Sequence, residues 1–434
     1  MLTQARPAVR FRSATLAPGV RLHLLSTDRF TTTVCRIALH RDLGPEATRT
    51  ALLAQVLETA TANHPTREAV ARRLADLYGA GLSVGVEKLG DRQLLAASLD
   101  WPTVGVPGRG ATLDEGLGFL REVISEPKRG RGGRDLDDEI VTTEGRNLVR
   151  SLRSLKDDKG RYALRRCLEA ACAGEPFALD PEGLEEDVPA ATPAALASLH
   201  ERLLATAPVE IFLAGDLSWP EAQAAVRRHL LWRGRSKTPA AVPAVGSTRA
   251  PRKRPVRLVE KDSIVQGKLA MAFRANLPAT SPMLPAAFAL AGVLGGGSSG
   301  RLFKVVREVH GLCYYISAAW VRAKGLMLVT SGVEPANEPR VRRLVLSLLK
   351  EVAAGKLEPV AWEAVREMAT SRVQAIRDDR GAAIGYAQEM TALGLDPRPE
   401  THLERLLAVK PADVRRVGRL LSLDASFFLT GSAS

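Results

Sequence analysis

The sequence predicts an α+β fold: two homologous domains, each a mostly antiparallel sheet with helices packed on one face. Three observations carry this. The chain has 434 residues, more than one ordinary core accommodates, and chains of this length split into domains of roughly 100–200 residues. The order of elements in the first half returns in the second, and LADLYGAGLSVGV (74–86) and VREVHGLCYYISA (306–318) correspond about half a chain apart, which points to duplication. Each half also holds two strand-like runs joined by a short turn. A doubly wound parallel sheet needs strand–helix–strand alternation throughout, so these hairpins argue for antiparallel pairing.

In the first half, TTTVCRIAL (31–39) is rich in β-branched residues and reads as a strand. A helix follows over about 48–62, then a second from Thr66 that glycine closes at Gly79. LSVGVEKLGDRQLLAASLD gives two strands about a Gly-Asp turn, and DEGLGFLREVISEP gives a helix. Helical stretches at 135–158 and 162–173 precede a closing strand, VEIFLAGD. The second half runs in parallel: GKLAMAFRA as strand, PAAFALAGVLG and SGRLFKVVREVHG as helices, LCYYISAAWVRAKGLMLVTSGV as two strands and EPRVRRLVLSLLKEVAAG as a helix. Helices at 359–380 and in GYAQEMTALGL lead to a last strand, ASFFLTGS. Residues 233–257, rich in Pro, Ser and basic side chains, read as an exposed linker. The expected domains are therefore 1–232 and 258–434.

Composition narrows the function classes. Hydrophobic residues at 45% and charged residues at 25% are ordinary for a soluble globular chain. The longest apolar run, 284–294, falls short of the roughly 20 residues a membrane span needs. The N-terminal stretch lacks the apolar run of a secretory signal, so a cytoplasmic protein is expected. Cys35, Cys167, Cys172 and Cys313 form no CxxC pair, which excludes a zinc ribbon and predicts buried, reduced thiols. Net charge is +13. Its arginines are dispersed, aromatics are only 5%, and no basic run is interleaved with stacking side chains, so nucleic acid is not the expected partner. A basic surface for acidic peptides or an acidic partner explains the charge as well.

Few residues are arranged for chemistry. The seven histidines, His23, His40, His64, His200, His229, His310 and His402, include no two within five residues of each other, so no local two-histidine metal motif exists. Gly295, Gly296 and Gly297 suggest a phosphate loop, but no Gly-Lys-Ser/Thr follows. Such a run serves either a mobile loop over a substrate entrance or a tight bend. His310 and Cys313 stand three apart across a glycine break, with no orienting carboxylate for a Cys-His nucleophile.

LGGGSSGRLFKVVREVHGLCYYIS (294–317) resembles the pitrilysin or insulinase-like zinc peptidases, which include the mitochondrial processing peptidase. Members carry a glycine-rich loop, a small-residue pair, Arg-Leu and a helix ending in Arg-Glu-x-x-Gly-Leu-x-Tyr. Arg307, Glu308, Gly311, Leu312 and Tyr314 match that run. The resemblance implies an inverted zinc motif, His-x-x-Glu-His, on a helix of the first domain, with both histidines on one face and the Glu as general base. In AQVLETAT (54–61), Ala54 and Leu57 fit the flanking positions and Glu58 the base, but Gln55 and Thr59 replace the histidines. The third ligand is implied to be a Glu seven residues after another Glu. Glu144 fits the earlier one, and Ser151, beside Arg150, stands at the ligand position. An amide and a hydroxyl do not replace imidazoles for zinc.

What the resemblance implies is a non-catalytic subunit with no metal of its own. It would pair, as heterodimer or homodimer, with a zinc-bearing homologous peptidase and enclose peptide substrates. Arg307 and Tyr314 would then reach the partner's site in trans, holding the substrate backbone or the developing oxyanion. Gly295, Gly296, Gly297 and Ser298 would border the substrate. The alternatives are a non-hydrolytic scaffold of the same fold and a zinc peptidase with atypical ligands. Arg307 also has a structural reading as a helix-terminal ion pair, Tyr314 as an inward strand residue, and Glu58 as a solvated or capped helix carboxylate.

Overall fold

The computed structural model describes residues 8–103, 109–232 and 234–431, the side chains of 109–111 excepted. The first residues of the expected first domain (1–7) and of the expected linker (233) lie outside them. The first compact unit holds the six-stranded sheet, formed by β1 (Arg12–Ala17), β2 (Val20–Ser26), β3 (Thr32–Asp42), β4 (Gly81–Leu89), β5 (Arg92–Pro102) and β6 (Val209–Gly215) in the order β1-β2-β6-β3-β5-β4. Only β2 and β6 pair in parallel; the other pairings are antiparallel. Alternate residues Leu22, Leu24, Ile37, Leu39, Ile211 and Leu213 are buried on one face, as a period of two requires.

Helix α1 (Ala47–Thr59) packs on β4 and β5, and α2 (Arg67–Asp76) follows it, capped by the Thr66 hydroxyl. α3 (Arg109–Ser125) and α4 (Asp138–Ser154) come next in the chain. α5 (Lys159–Ala171) precedes α6 (Pro193–Thr206) and α7 (Trp219–His229), the last opened by a Ser218/Glu221 capping box.

The second unit holds β7 (Val256–Asp262), β8 (Gly267–Arg274), β9 (Cys313–Val321), β10 (Leu326–Val333) and β11 (Ser422–Gly431), ordered β7-β11-β8-β10-β9. That order repeats β2-β6-β3-β5-β4 strand for strand, and again the sole parallel pair, β7 with β11, involves the closing strand. The duplication thus extends to topology. Helices α8 (Leu284–Gly295), α9 (Glu338–Ala354), α10 (Pro359–Asp378), α11 (Arg380–Ala392), α12 (Pro399–Leu407) and α13 (Pro411–Leu420) complete the chain. Leu269, Met271 and Phe273 of β8 face a core shared with α8, α9 and α13.

The alternate residues Ala270 and Ala272 face a second core, in which α5 contributes Ala163, Cys167 and Ala171. Helices therefore cover both faces of this sheet, not one. Small side chains on both elements allow the close approach.

The compact units do not follow the linear boundaries expected from composition. Residues 154–178 cluster with the second unit and 380–387 with the first. Nor is the expected linker loose. Ser236 and Ala240 donate backbone hydrogen bonds to Ala205 and Thr206 in the first unit. In the second unit, Arg249 and Arg252 ion-pair with the fully buried Asp424, at 3.1 and 2.9 Å. Arg274, also fully buried, joins Asp424 and Glu175, and Lys324 reaches Glu175 at 2.6 Å. The basic cluster at 249–257 is in part the counter-charge of buried carboxylates.

Candidate functional site

The face of α1 expected to have carried a metal holds a hydrogen-bond network. The Thr59 hydroxyl lies 2.9 Å from the Gln55 carbonyl and 3.0 Å from Glu144 Oε1 on α4, its one proton shared between the two acceptors. The Arg67 guanidinium, from the first turn of α2, donates to the same oxygen at 2.6 Å, and Asn147 Nδ2 donates to Glu144 Oε2 at 2.9 Å. Glu144 is buried. Burial alone would raise its carboxyl, but Arg67, Asn147 and Thr59 outweigh that and hold it below the usual carboxylate range. Ser151, two turns farther along α4, donates to Glu182 Oε2 at 3.3 Å.

Glu58 is half-buried, and its Oε1 accepts the Val84 backbone amide of β4 at 3.2 Å. Burial pushes its carboxyl up, with the Val84 bond opposing. It is neither freely solvated nor a helix cap: it braces a strand. Gln55 Oε1 is buried without a hydrogen-bond partner among the described residues.

The donor set does not fit zinc. It offers an amide, a hydroxyl and one carboxylate already engaged by a guanidinium, where a zinc site wants imidazoles, thiolates or free carboxylates. Among the described residues no group of three or more His, Cys, Asp or Glu is arranged to hold a metal ion. Sequence reasoning missed Arg67: it sits outside the motif, and only the fold brings its side chain, from the start of α2, within reach of Glu144.

The second unit presents the other candidates. From Phe303 to Val309 the chain forms a π-helical turn, with the His310 amide reaching the Val305 carbonyl at 3.2 Å, where a regular α-helix was expected. Arg307 is exposed and its guanidinium lies 4.6 Å from the Phe303 ring centroid. It forms no ion pair among the described residues, so the intra-domain salt bridge is not its role. Tyr314 is 58% exposed, not inward, and its hydroxyl has no protein partner among the described residues.

The glycine run is a tight bend. A Cβ on Gly295 would lie 2.0 Å from the Ala318 backbone nitrogen, and one on Gly296 2.4 Å from the Gly292 carbonyl. Gly297 has φ +69° and opens a short 3-10 turn, Gly297–Ser299, that includes Ser298. The Cys-His idea finds no support: burial raises the Cys313 thiol, and His310 Nδ1 stands 3.2 Å from Arg340. All four cysteines are buried and unpaired. No helix among the described residues is long and apolar enough to cross a membrane.

Comparison with known proteins accords with this arrangement. Residues 190–368 match the peptidase M16 inactive domain. The chain is 24% identical over 417 residues to the probable inactive metalloprotease YmfF of Bacillus subtilis, covering 95% of this chain and 96% of that one. A conserved protein from Enterococcus faecalis superposes with TM-score 0.88 at 26% identity, over 98% of this chain and 99% of that one. A peptidase M16 inactive domain from Pseudomonas fluorescens gives TM-score 0.79 at 17% identity, over 98% of each. The similarity to the Bacillus and Enterococcus proteins extends over nearly the whole chain, and the likeness to the Pseudomonas structure is one of fold.

Proposed function

We propose that this chain is the non-catalytic subunit of a two-component peptidase, paired with a zinc-bearing homologue. The observation that carries the reading is the Arg67–Glu144–Thr59 network. A permanent organic cation neutralises the carboxylate on the metal-site face, so this chain has no ion with which to activate water. Arg307 and Tyr314 supply the complementary half. Both are exposed and have donors free of hydrogen-bond partners among the described residues, as groups that serve a substrate carbonyl or oxyanion in another subunit must. The M16-like relatives support a peptide as the substrate class.

The test mixes the purified chain with a His-x-x-Glu-His homologue encoded beside it. Peptide hydrolysis should appear in the mixture and be absent from this chain alone. Arg307→Ala and Tyr314→Phe should each lower kcat by roughly 10–1000-fold without changing assembly, read by size-exclusion chromatography. Unchanged turnover in both variants removes the in-trans role. A mixture that assembles but hydrolyses no peptide favours a scaffold.

A further inference from the structure

The first unit carries a second feature that the pairing above does not use. A cleft of about 690 Å3 lies between α4 and the turn Glu185–Ala190, within the roughly 300–1,000 Å3 common for ligand clefts. Val141, Gly145, Val149 and Arg153 line it, a stripe of α4 that by the 3.6-residue period runs beside Glu144 and away from it toward the opposite side of the helix. Leu52, Val188, Pro189 and Pro193 make the rest of the apolar wall. Three guanidiniums border it, those of Arg146, Arg150 and Arg153.

Their pairing is unequal. Arg153 is held by Glu185, with Nε at 3.0 Å. Arg146 and Arg150 are exposed and pair with no carboxylate among the described residues. They stand four apart on one helix face, where like charges destabilise a helix. Gly145, between them and the wall, is a mid-helix glycine, itself unfavourable relative to alanine. A Cβ there would already reach Val188 Cγ1 at 3.6 Å, so a larger side chain would enter the cleft. One helix face thus combines an open apolar slot with two uncompensated cations.

We propose that this cleft binds an acidic peptide segment, with an aliphatic or aromatic side chain in the slot and flanking carboxylates on Arg146 and Arg150. Charge complementarity selects this occupant. Guanidiniums take carboxylates in two-pronged hydrogen bonds, the lining offers an excess of positive charge, and the whole chain carries +13. The site lies within the first unit and does not rest on the zinc-bearing partner.

The experiment uses the full chain and fluorescence anisotropy with a labelled peptide of glutamate and leucine. A lysine–leucine peptide serves as control, and laurate as an alternative anionic occupant. The acidic peptide should bind, the basic one should not, and added salt should weaken binding. Arg146→Glu with Arg150→Glu should weaken it at least ~10-fold with an unchanged thermal midpoint, since both side chains are exposed. Gly145→Leu should abolish it by filling the slot. If that variant misfolds, the surface arginine pair decides alone. Amide-exchange protection should concentrate at 141–153 and 185–193. Equal affinity for both peptides, full binding by the arginine variant, protection elsewhere, or binding of laurate in place of the peptide would each overturn the assignment.

Discussion

Arg67→Ala probes the rebuilt metal face directly. The Glu144 side chain is 3% exposed and that of Arg67 67% exposed, at a separation of 2.6 Å. A hydrogen bond to a charged group contributes about 1.5–3 kcal/mol. The exposure of the arginine reduces this, so the expected loss is about 1–2 kcal/mol. For a unit of this size that lowers the midpoint of its thermal transition by roughly 2–8 °C. A double-mutant cycle with Glu144→Gln isolates the pair, since Arg67→Ala should cost little once the carboxylate is gone. The pH dependence has a definite sign. The folded pKa of Glu144 lies below its ordinary 4.5, so its contribution is fully present above 4.5 and is lost as pH falls through the folded value. The gap between wild type and Arg67→Ala should therefore be full at neutral pH and close in acid. Urea unfolding monitored at both pH values checks it. A coupling energy near zero, or a gap that persists after carboxylate protonation, refutes the claim that the guanidinium stabilises this face.

Three further outcomes follow from the geometry. Burial pulls His23 down from 6.5 to about 4, against the opposing pull of Glu210; the unfolded chain then binds the extra proton between those values, and stability should rise by about 3 kcal/mol over that window. His23→Gln should flatten that part of the pH–stability curve. Asp424→Asn should cost about 3 kcal/mol, because the fully buried Arg274 loses one of its two carboxylate partners and keeps only Glu175; chemical denaturation of the second unit reads it. Gly295→Ala should cost at least about 2 kcal/mol, since its Cβ would collide with the Ala318 backbone; a circular-dichroism melt unchanged from wild type would contradict the close approach.

Much of the fold is legible in the chain because it rests on local signals. Thr66 and Gly79 bracket α2, and the turn at Gly90-Asp91 separates β4 from β5, as their chemistry dictates. What escapes is non-local. β7 alternates half-buried and exposed residues and lacks an apolar run, so it merges with the preceding basic segment until β11 pairs with it. Nothing in the period of α5 says which sheet its Ala163, Cys167 and Ala171 meet. The π-helical turn at Phe303–Val309 has the same residues an α-helix would have. At the site, the replacements Gln55, Thr59 and Ser151 are visible residue by residue, but the cation that answers Glu144 comes from another helix.

That cation distinguishes a broken site from a rebuilt one. Removing histidines from a metal face would leave a buried carboxylate without its counter-charge, a costly state unless it is protonated or newly paired. Here Glu144 retains three donors, from Thr59, Arg67 and Asn147. Thr59 itself stands at the second histidine position and closes the gap from α1 to α4. Metal sites commonly tie their ligand helices together through the ion, so that loss of metal loosens the fold. In this chain the α1–α4 connection is made by side chains alone, and Glu58 is occupied with β4. The first unit can therefore stay rigid with no ion present. On the proposed reading, a subunit that presents Arg307 and Tyr314 to a partner, or Arg146 and Arg150 to a peptide, requires that rigidity more than it requires a metal of its own.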